Sequence, residues 1–197
     1  MLFDRSGNRK YLTTAEWHSF LDAANLAEPF TRSFCWTLAH TGGRLSEIRA
    51  LTPRHVDPAD GTIRIECLKR RQKGIFRELP IDVDLLDLLE ATHAIAAKRA
   101  DDALMDAQIW PWCRTTAWSR VKSVMLKAGL SEYLCKPKAL RHTFGIEGVA
   151  NQNIPLGTMK KWLGHARLES TIVYTTPTGR EERMLARRMW RPFKMEF

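Results

Sequence analysis

The sequence predicts a mostly α-helical domain of the α+β class with one small antiparallel sheet inserted in it. Three observations carry that reading. Stretches on both sides of residues 60–81 repeat apolar side chains at helical spacing and open on N-terminal capping signals. Residues 62–67 alternate with period two, and 75–81 read as a second strand on the other side of a basic loop. The chain has 197 residues, 44% of them hydrophobic, enough for one good core and short for two full domains. Seven tryptophans and eight phenylalanines argue against intrinsic disorder.

Each element follows in order. Residues 1–12 read as a basic lead-in or linker, and residues 13–197 as the domain proper. Thr13 and Glu16 have the spacing of a capping box, in which each side chain accepts from the other residue's amide. A helix follows to about Leu26, with Trp17, Phe20, Leu21 and Ala24 turned inward. Pro29 suits the first turn of a second helix, whose inner face holds Phe30, Phe34 and Leu38. Thr41-Gly42-Gly43 breaks it. A third helix runs from about Arg44 to Ala50, where Thr52-Pro53 stops it. Asp60-Gly61 is a turn into a two-stranded hairpin, 62–67 and 75–81, with its basic tip at 69–74. A helix over 82–100 carries Leu85, Leu86, Leu88, Leu89, Ile95 and Ala96. Residues 109–112 form a short extended piece. Thr115 or Thr116 caps a helix to Gly129 that carries Trp118, Val121, Val124 and Met125. Pro137 opens another through about Ala150, and Pro155 a short one ending at Gly164. A further helix spans 168–174. Thr178 and Glu181 make a second capping box before a basic C-terminal helix with Arg183, Arg187, Arg188 and Arg191.

Charge points to the partner. Lysine and arginine total 31 against 22 acidic residues, a net charge of +9. A polyanion is the expected ligand, nucleic acid before an anionic membrane. No run of eighteen apolar residues exists for a membrane span, and the first twelve residues lack the apolar core of a signal peptide. Cys35, Cys67, Cys113 and Cys135 are far apart, so neither a zinc site nor a disulfide framework is expected. They read as reduced thiols in a cytoplasmic protein. No Gly-rich phosphate loop is present, so ATP and NAD are not suggested and no cofactor is expected.

Several charged residues sit in unexpected places. Arg44 opens a helix beside the stripe Leu45, Ile48 and Leu51, with Glu47 three positions on. That is either a local ion pair or an arginine held rigid to meet a phosphate. Lys138 and Arg141 lie at the start of a helix, where the backbone favours anions. They are either ordinary surface cations or a phosphate site. His165 in LGH and Tyr174 after Ile172-Val173 each read, alone, as structural.

Order along the chain changes that. TGGRLSE, a basic hairpin, KALRHTFG, LGH, and a tyrosine nine positions after that histidine follow one another over residues 41–174. This resembles the catalytic domain of the tyrosine recombinases, the phage-integrase family, over nearly the whole chain beyond the lead-in. The resemblance implies a helical tyrosine-recombinase catalytic domain with a small antiparallel sheet. It implies Arg44 and Arg141 as the catalytic arginines, Glu47 as the acid supporting the first, His165 as the histidine and Tyr174 as the nucleophile. The catalytic lysine falls in the hairpin loop at Lys73, with Lys69 as the alternative. The family usually has histidine where this chain has Lys138. A lysine donates to phosphate but is a poor base at neutral pH, so Lys138 is expected to bind phosphate.

The implied reaction is metal-free cleavage and rejoining of double-stranded DNA. Tyr174 attacks a phosphodiester, leaving a 3′-phosphotyrosyl link and a free 5′-hydroxyl, and the arginines stabilise the charge on the oxygens. Lys69, Arg70, Arg71, Arg120 and Lys136 are expected to contact DNA. The C-terminal helix, with Met184, Leu185, Met189 and Trp190, packs on a neighbouring subunit of a homo-oligomer, a tetramer on DNA, or in cis. The lead-in is too short for the family's N-terminal core-binding domain, as in the single-domain fimbrial-switch recombinases or in a fragment. Two other readings stay open: a type IB topoisomerase, and a non-catalytic DNA-binding protein that retains the fold.

Overall fold

The computed structural model of the chain describes residues 2–68 and 74–175, with residues 186, 187 and 189. Nine helices and three strands follow in order within them: α1 (Thr14–Asn25), α2 (Pro29–Thr41), α3 (Leu45–Arg49), β1 (Val56–Asp57), β2 (Thr62–Glu66), β3 (Phe76–Pro80), α4 (Val83–His93), α5 (Ile95–Arg99), α6 (Arg114–Lys127), α7 (Pro137–Ile146), α8 (Leu156–Leu163) and α9 (Glu169–Ile172).

Local signals start the helices. The Thr13–Glu16 capping box forms as expected. Pro29 occupies the first turn of α2, where the Glu28 carboxylate accepts from the Phe30 and Thr31 amides. Helix α2 is the hub of the domain and packs against α1, α3, α4, α6 and α7. It is buried along Phe34, Cys35, Leu38 and Ala39. The polar side chains there are satisfied locally: Thr37 donates to the Ser33 carbonyl and Thr41 to the Thr37 carbonyl. Phe30, expected on the inner face, is 36% exposed because it lies in the first turn, beside His93.

The sheet gains a strand over the expected hairpin. Its order is β1-β2-β3, all antiparallel, with Ile63 opposite both Val56 and Leu79. Val56–Asp57 is too short to show a period, so the sequence pattern does not reveal it. On β3 the inward side chains are Arg77 and Leu79.

Three boundaries move. The helix expected over 82–100 breaks at Ala94, whose φ of 51° is left-handed, giving α4 and α5. Leu85, Leu89 and Ile95 are buried, Leu86 and Leu88 half-buried, and Ala96 is exposed. Helix α6 is capped not by Thr115 or Thr116 but by Cys113, whose sulfur accepts from the Thr116 amide at 3.4 Å. Helix α7 ends at Ile146 and runs into a π turn over Glu147–Asn151. The basic hairpin tip and the second capping box lie outside the described residues, as does nearly all of the C-terminal helix.

Two apolar clusters result. The larger fills the space around α2, the sheet, α4 and α6. The smaller joins Ile146, Met159, Leu163 and Tyr174 to Leu2 and Tyr11. Residues 2–12, from the segment expected as a lead-in or linker, therefore pack on the helices, and the Leu12 amide donates to the Thr143 hydroxyl at 2.8 Å. All four cysteines are free, with Cys113 exposed and the others buried. Among the described residues no helix is long and apolar enough to cross a membrane.

Candidate active site

The site is built where α2, α7 and α8 end or begin near one another. Helix α2 ends at Gly42, and Arg44 is the N-cap of α3. The Glu47 carboxylate, almost wholly buried, accepts from the Arg44 amide at 3.0 Å and from Arg44 Nη1 at 2.6 Å. Its Oε2 also accepts from Arg77 Nη2 at 2.7 Å. Burial opposes the carboxylate charge, but Arg77, then Arg44, hold its pKa below the usual value. Arg77 donates further, from Nε to the Trp162 carbonyl at 2.7 Å and from Nη1 to Cys67 Sγ at 3.4 Å. Arg44 is thus held by an acid that a second arginine holds in turn.

Arg141 is nearly buried. Its Nη1 donates to the Gly42 carbonyl at 2.8 Å and its Nη2 to the Leu163 carbonyl at 2.6 Å. It thereby clamps the end of α2 to the end of α8. Burial, then the nearby Arg44 charge, push its pKa down to about 10, so the guanidinium is still charged at neutral pH. Among the described residues neither Arg141 nor Lys138 has an ion-pair partner. A buried cation without a counter-charge is costly, and an anion in the adjoining cleft relieves that cost.

Helix α8 ends at Gly164, whose φ of 64° is left-handed. Any Cβ there would also meet Cys67 Sγ at 2.9 Å and Arg77 at 3.0 Å. That turn delivers His165, whose Nδ1 lies 2.9 Å from the buried Thr171 hydroxyl on α9. Burial, then Arg141, Arg44 and Arg77, push the pKa of His165 down to about 4, so the ring is neutral at pH 7. Tyr174, just past α9, is 2% exposed. Its ring lies roughly parallel to that of His165, centroids 6.3 Å apart. Its hydroxyl is 3.2 Å from His142 Nδ1. Burial raises the Tyr174 pKa, against the pull of Arg141 and Arg44.

One cleft of about 850 Å³ is lined by Arg44, Glu47, Lys136, Lys138, Arg141, His142, His165 and Tyr174, with Arg114 and Trp118. Five cations and one acid already committed to two arginines face it, so it suits an anion. Among the described residues no group of His, Cys, Asp and Glu has the arrangement of a metal site.

The structure therefore brings together Arg44, Glu47, Lys136, Lys138, Arg141, His165 and Tyr174. It does not bring Arg120 into the cleft: that guanidinium pairs with Glu28 at 2.9 Å and lies over the Trp112 ring. Lys69, Arg70, Arg71 and Lys73 lie outside the described residues. Sequence reasoning missed Arg77, Thr171 and the contact of His142. Arg77 carried a signal, since the strand period sets it on the same face as Leu79, an unusual place for a charge.

Residues 10–181 match the description "Phage integrase family". The tyrosine recombinase XerD of Haemophilus influenzae is 25% identical over 171 residues, covering 84% of this chain and 57% of XerD. The chain thus spans little more than half the length of the curated relatives it matches. A crystal structure of XerA recombinase has a TM-score of 0.71 at 20% identity, covering 98% of this chain and 66% of that one. A post-cleavage complex of the XerH site-specific recombinase with a palindromic difH substrate has a TM-score of 0.73 at 18% identity, covering 95% and 55%. These structural likenesses establish the fold, and the match over residues 10–181 establishes the family: the chain belongs to the phage integrase family.

Proposed function

We propose that the chain is a site-specific tyrosine recombinase, which cleaves and rejoins double-stranded DNA through a 3′-phosphotyrosyl intermediate. The observation that carries this reading is the Tyr174 hydroxyl in one cationic cleft with Arg44, Arg141 and His165. Family membership supports it, as does the recognition of a DNA site by XerH, a protein of the same fold.

A scissile phosphate in the cleft lies between the two arginines, whose guanidinium forks match its non-bridging oxygens. Arg44 is pre-set by Glu47, and Arg141 by its two backbone carbonyls, so neither must reorganise as charge develops. Lys138 adds a third cation and His165, neutral, donates through a ring N–H. Tyr174 attacks phosphorus. The P–O5′ bond breaks, and the leaving oxygen takes a proton from the hairpin lysine, Lys73 or alternatively Lys69. The phosphotyrosyl link keeps the bond energy, so a 5′-hydroxyl reseals the strand without ATP. Arg70, Arg71 and Lys136 hold the DNA backbone. Strand exchange between two sites calls for several active sites, so the enzyme works as a homo-oligomer, a tetramer on DNA, in the cytoplasm.

A nicked suicide substrate, from which the short 5′ product diffuses away, tests this. The expected result is a covalent protein–DNA adduct with the unaltered chain and none with Tyr174→Phe. DNA binding without an adduct on any substrate contradicts the reading. Relaxation of plasmids without partner sites would redirect it to topoisomerase chemistry.

A further inference from the structure

We propose that His142 is a catalytic residue: it takes the proton from Tyr174 as the tyrosine attacks. This rests on the phosphotyrosyl reading above. Tyr174 sits in the smaller apolar cluster, where burial disfavours a free phenolate, so its proton must leave as the O–P bond forms. An acceptor has to be in hydrogen-bond reach of Oη. Among the described residues His142 Nδ1, at 3.2 Å, is the hydrogen-bond partner of that oxygen. His165 is engaged elsewhere, through Nδ1 with Thr171. The hydrogen bond to that hydroxyl comes from His142 and not from Lys138, whose ammonium group is a donor only. An imidazole one position beyond Arg141 thus already touches the tyrosine hydroxyl.

The surroundings keep that imidazole basic in form. Lys138 and Arg141 on α7, Lys136 just before it, and Asp4, Arg9 and Lys10 from the N-terminal segment face it together with Tyr133, and Tyr174 and His165 lie on the other side. Burial, then Lys138 and Arg141, hold it neutral at pH 7, with its pKa down to about 4. A DNA phosphate in the cleft offsets those positive charges and makes protonation easier when substrate is bound. The step balances. Tyr174 Oη bonds to phosphorus, its proton passes to His142 Nδ1, and the P–O5′ bond breaks with O5′ taking a proton from the lysine acid. In rejoining, the 5′-hydroxyl bonds to phosphorus and gives its proton back to the lysine, the bond from phosphorus to Tyr174 Oη breaks, and His142 returns its proton to Tyr174.

The experiment measures the rate of adduct formation on the suicide substrate from pH 6.5 to 9, with folding checked by thermal melting and DNA binding by gel shift. His142→Asn keeps a polar group near the Nδ1 position but is no base. It is expected to cut the rate about 10²-fold at pH 7. The loss should shrink about tenfold per pH unit as hydroxide takes over. Added imidazole should restore part of the rate to His142→Ala and not to His142→Asn. The rate of the unaltered chain should not climb tenfold per unit between pH 7 and 9, a check that needs no variant. A full rate with His142→Asn, or a loss that is independent of pH and not rescued, overturns the proposal and leaves the recombinase reading standing. No Tyr174-dependent adduct from the unaltered chain overturns both.

Discussion

Tyr174 reaches the cleft because Gly145, on the helix beneath it, has no side chain. A Cβ at that position would lie 2.6 Å from Tyr174 Cε2 and 2.7 Å from Cδ2 and Cζ. The ring is flat against α7, and His142, three residues back on the same helix, meets its hydroxyl. Gly145→Ala should therefore act on chemistry more than on folding. Alanine favours the helix by up to about 1 kcal/mol, and the displaced ring offsets that gain. If Tyr174 is the nucleophile, as proposed, a shift on the order of 1 Å costs about 10²-fold in rate. The adduct assay should show that loss with DNA binding retained, whereas an unchanged rate would mean that the ring has room to move. Residues of this kind were only partly legible. Arg44, Glu47, Arg141, His165 and Tyr174 could be singled out because the order and spacing of their motifs resemble those of a known family. The contacts of Gly145 and His142 depend on Tyr174, past α9, lying against α7, and that of Thr171 on α8 packing against α9, which no local pattern encodes.

At the scale of elements, the site is held by one strand as much as by its helices. Strand β3 turns Arg77 into the core, where it binds Glu47 beneath α3 and the Trp162 carbonyl near the end of α8. Arg77→Met removes one partner of a buried ion pair and leaves a carboxylate with Arg44 alone. Loss of such a partner costs about 3–5 kcal/mol. Thermal or denaturant unfolding should show a drop of that order. Arg77→Lys should recover only part, since an ammonium cannot serve the carboxylate, the carbonyl and the sulfur as a planar fork does. No loss of stability in Arg77→Met would contradict the bracing role. The hairpin itself was plain from its alternation, and α1 and α2 from Thr13, Glu16 and Pro29, because caps and period-two patterns are local. The break at Ala94 was not, since alanine rarely takes a left-handed conformation and carries no stop signal. The Cys113 cap was missed because cysteine is a weak acceptor and two threonines stood beside it.

The whole molecule closes its helices around α2 and keeps three histidines neutral while doing so. His93, His142 and His165 each have a pKa pushed down to about 4, in every case by burial first. The unfolded chain binds protons near the ordinary value of about 6.5. Between about pH 6.5 and 4 the unfolded state takes up protons that the native state refuses, so stability falls with pH across that window. The melting temperature should be highest above pH 7 and decline through pH 5, and a flat profile over that range would contradict the buried neutral rings. At this scale the class, mostly helical with a small antiparallel sheet, was legible from periodicity. The packing of residues 2–12 on the Tyr174 cluster was not, because a short segment with Leu2 and Tyr11 has no period to read. In the proposed reaction Tyr174 carries the DNA strand. Digestion of the suicide-substrate adduct followed by mass mapping tests it most directly. Nucleotides joined through a 3′-phosphate to the peptide holding Tyr174 are the expected product. A link to Tyr11, Tyr133 or any other side chain, or no link at all, would contradict it.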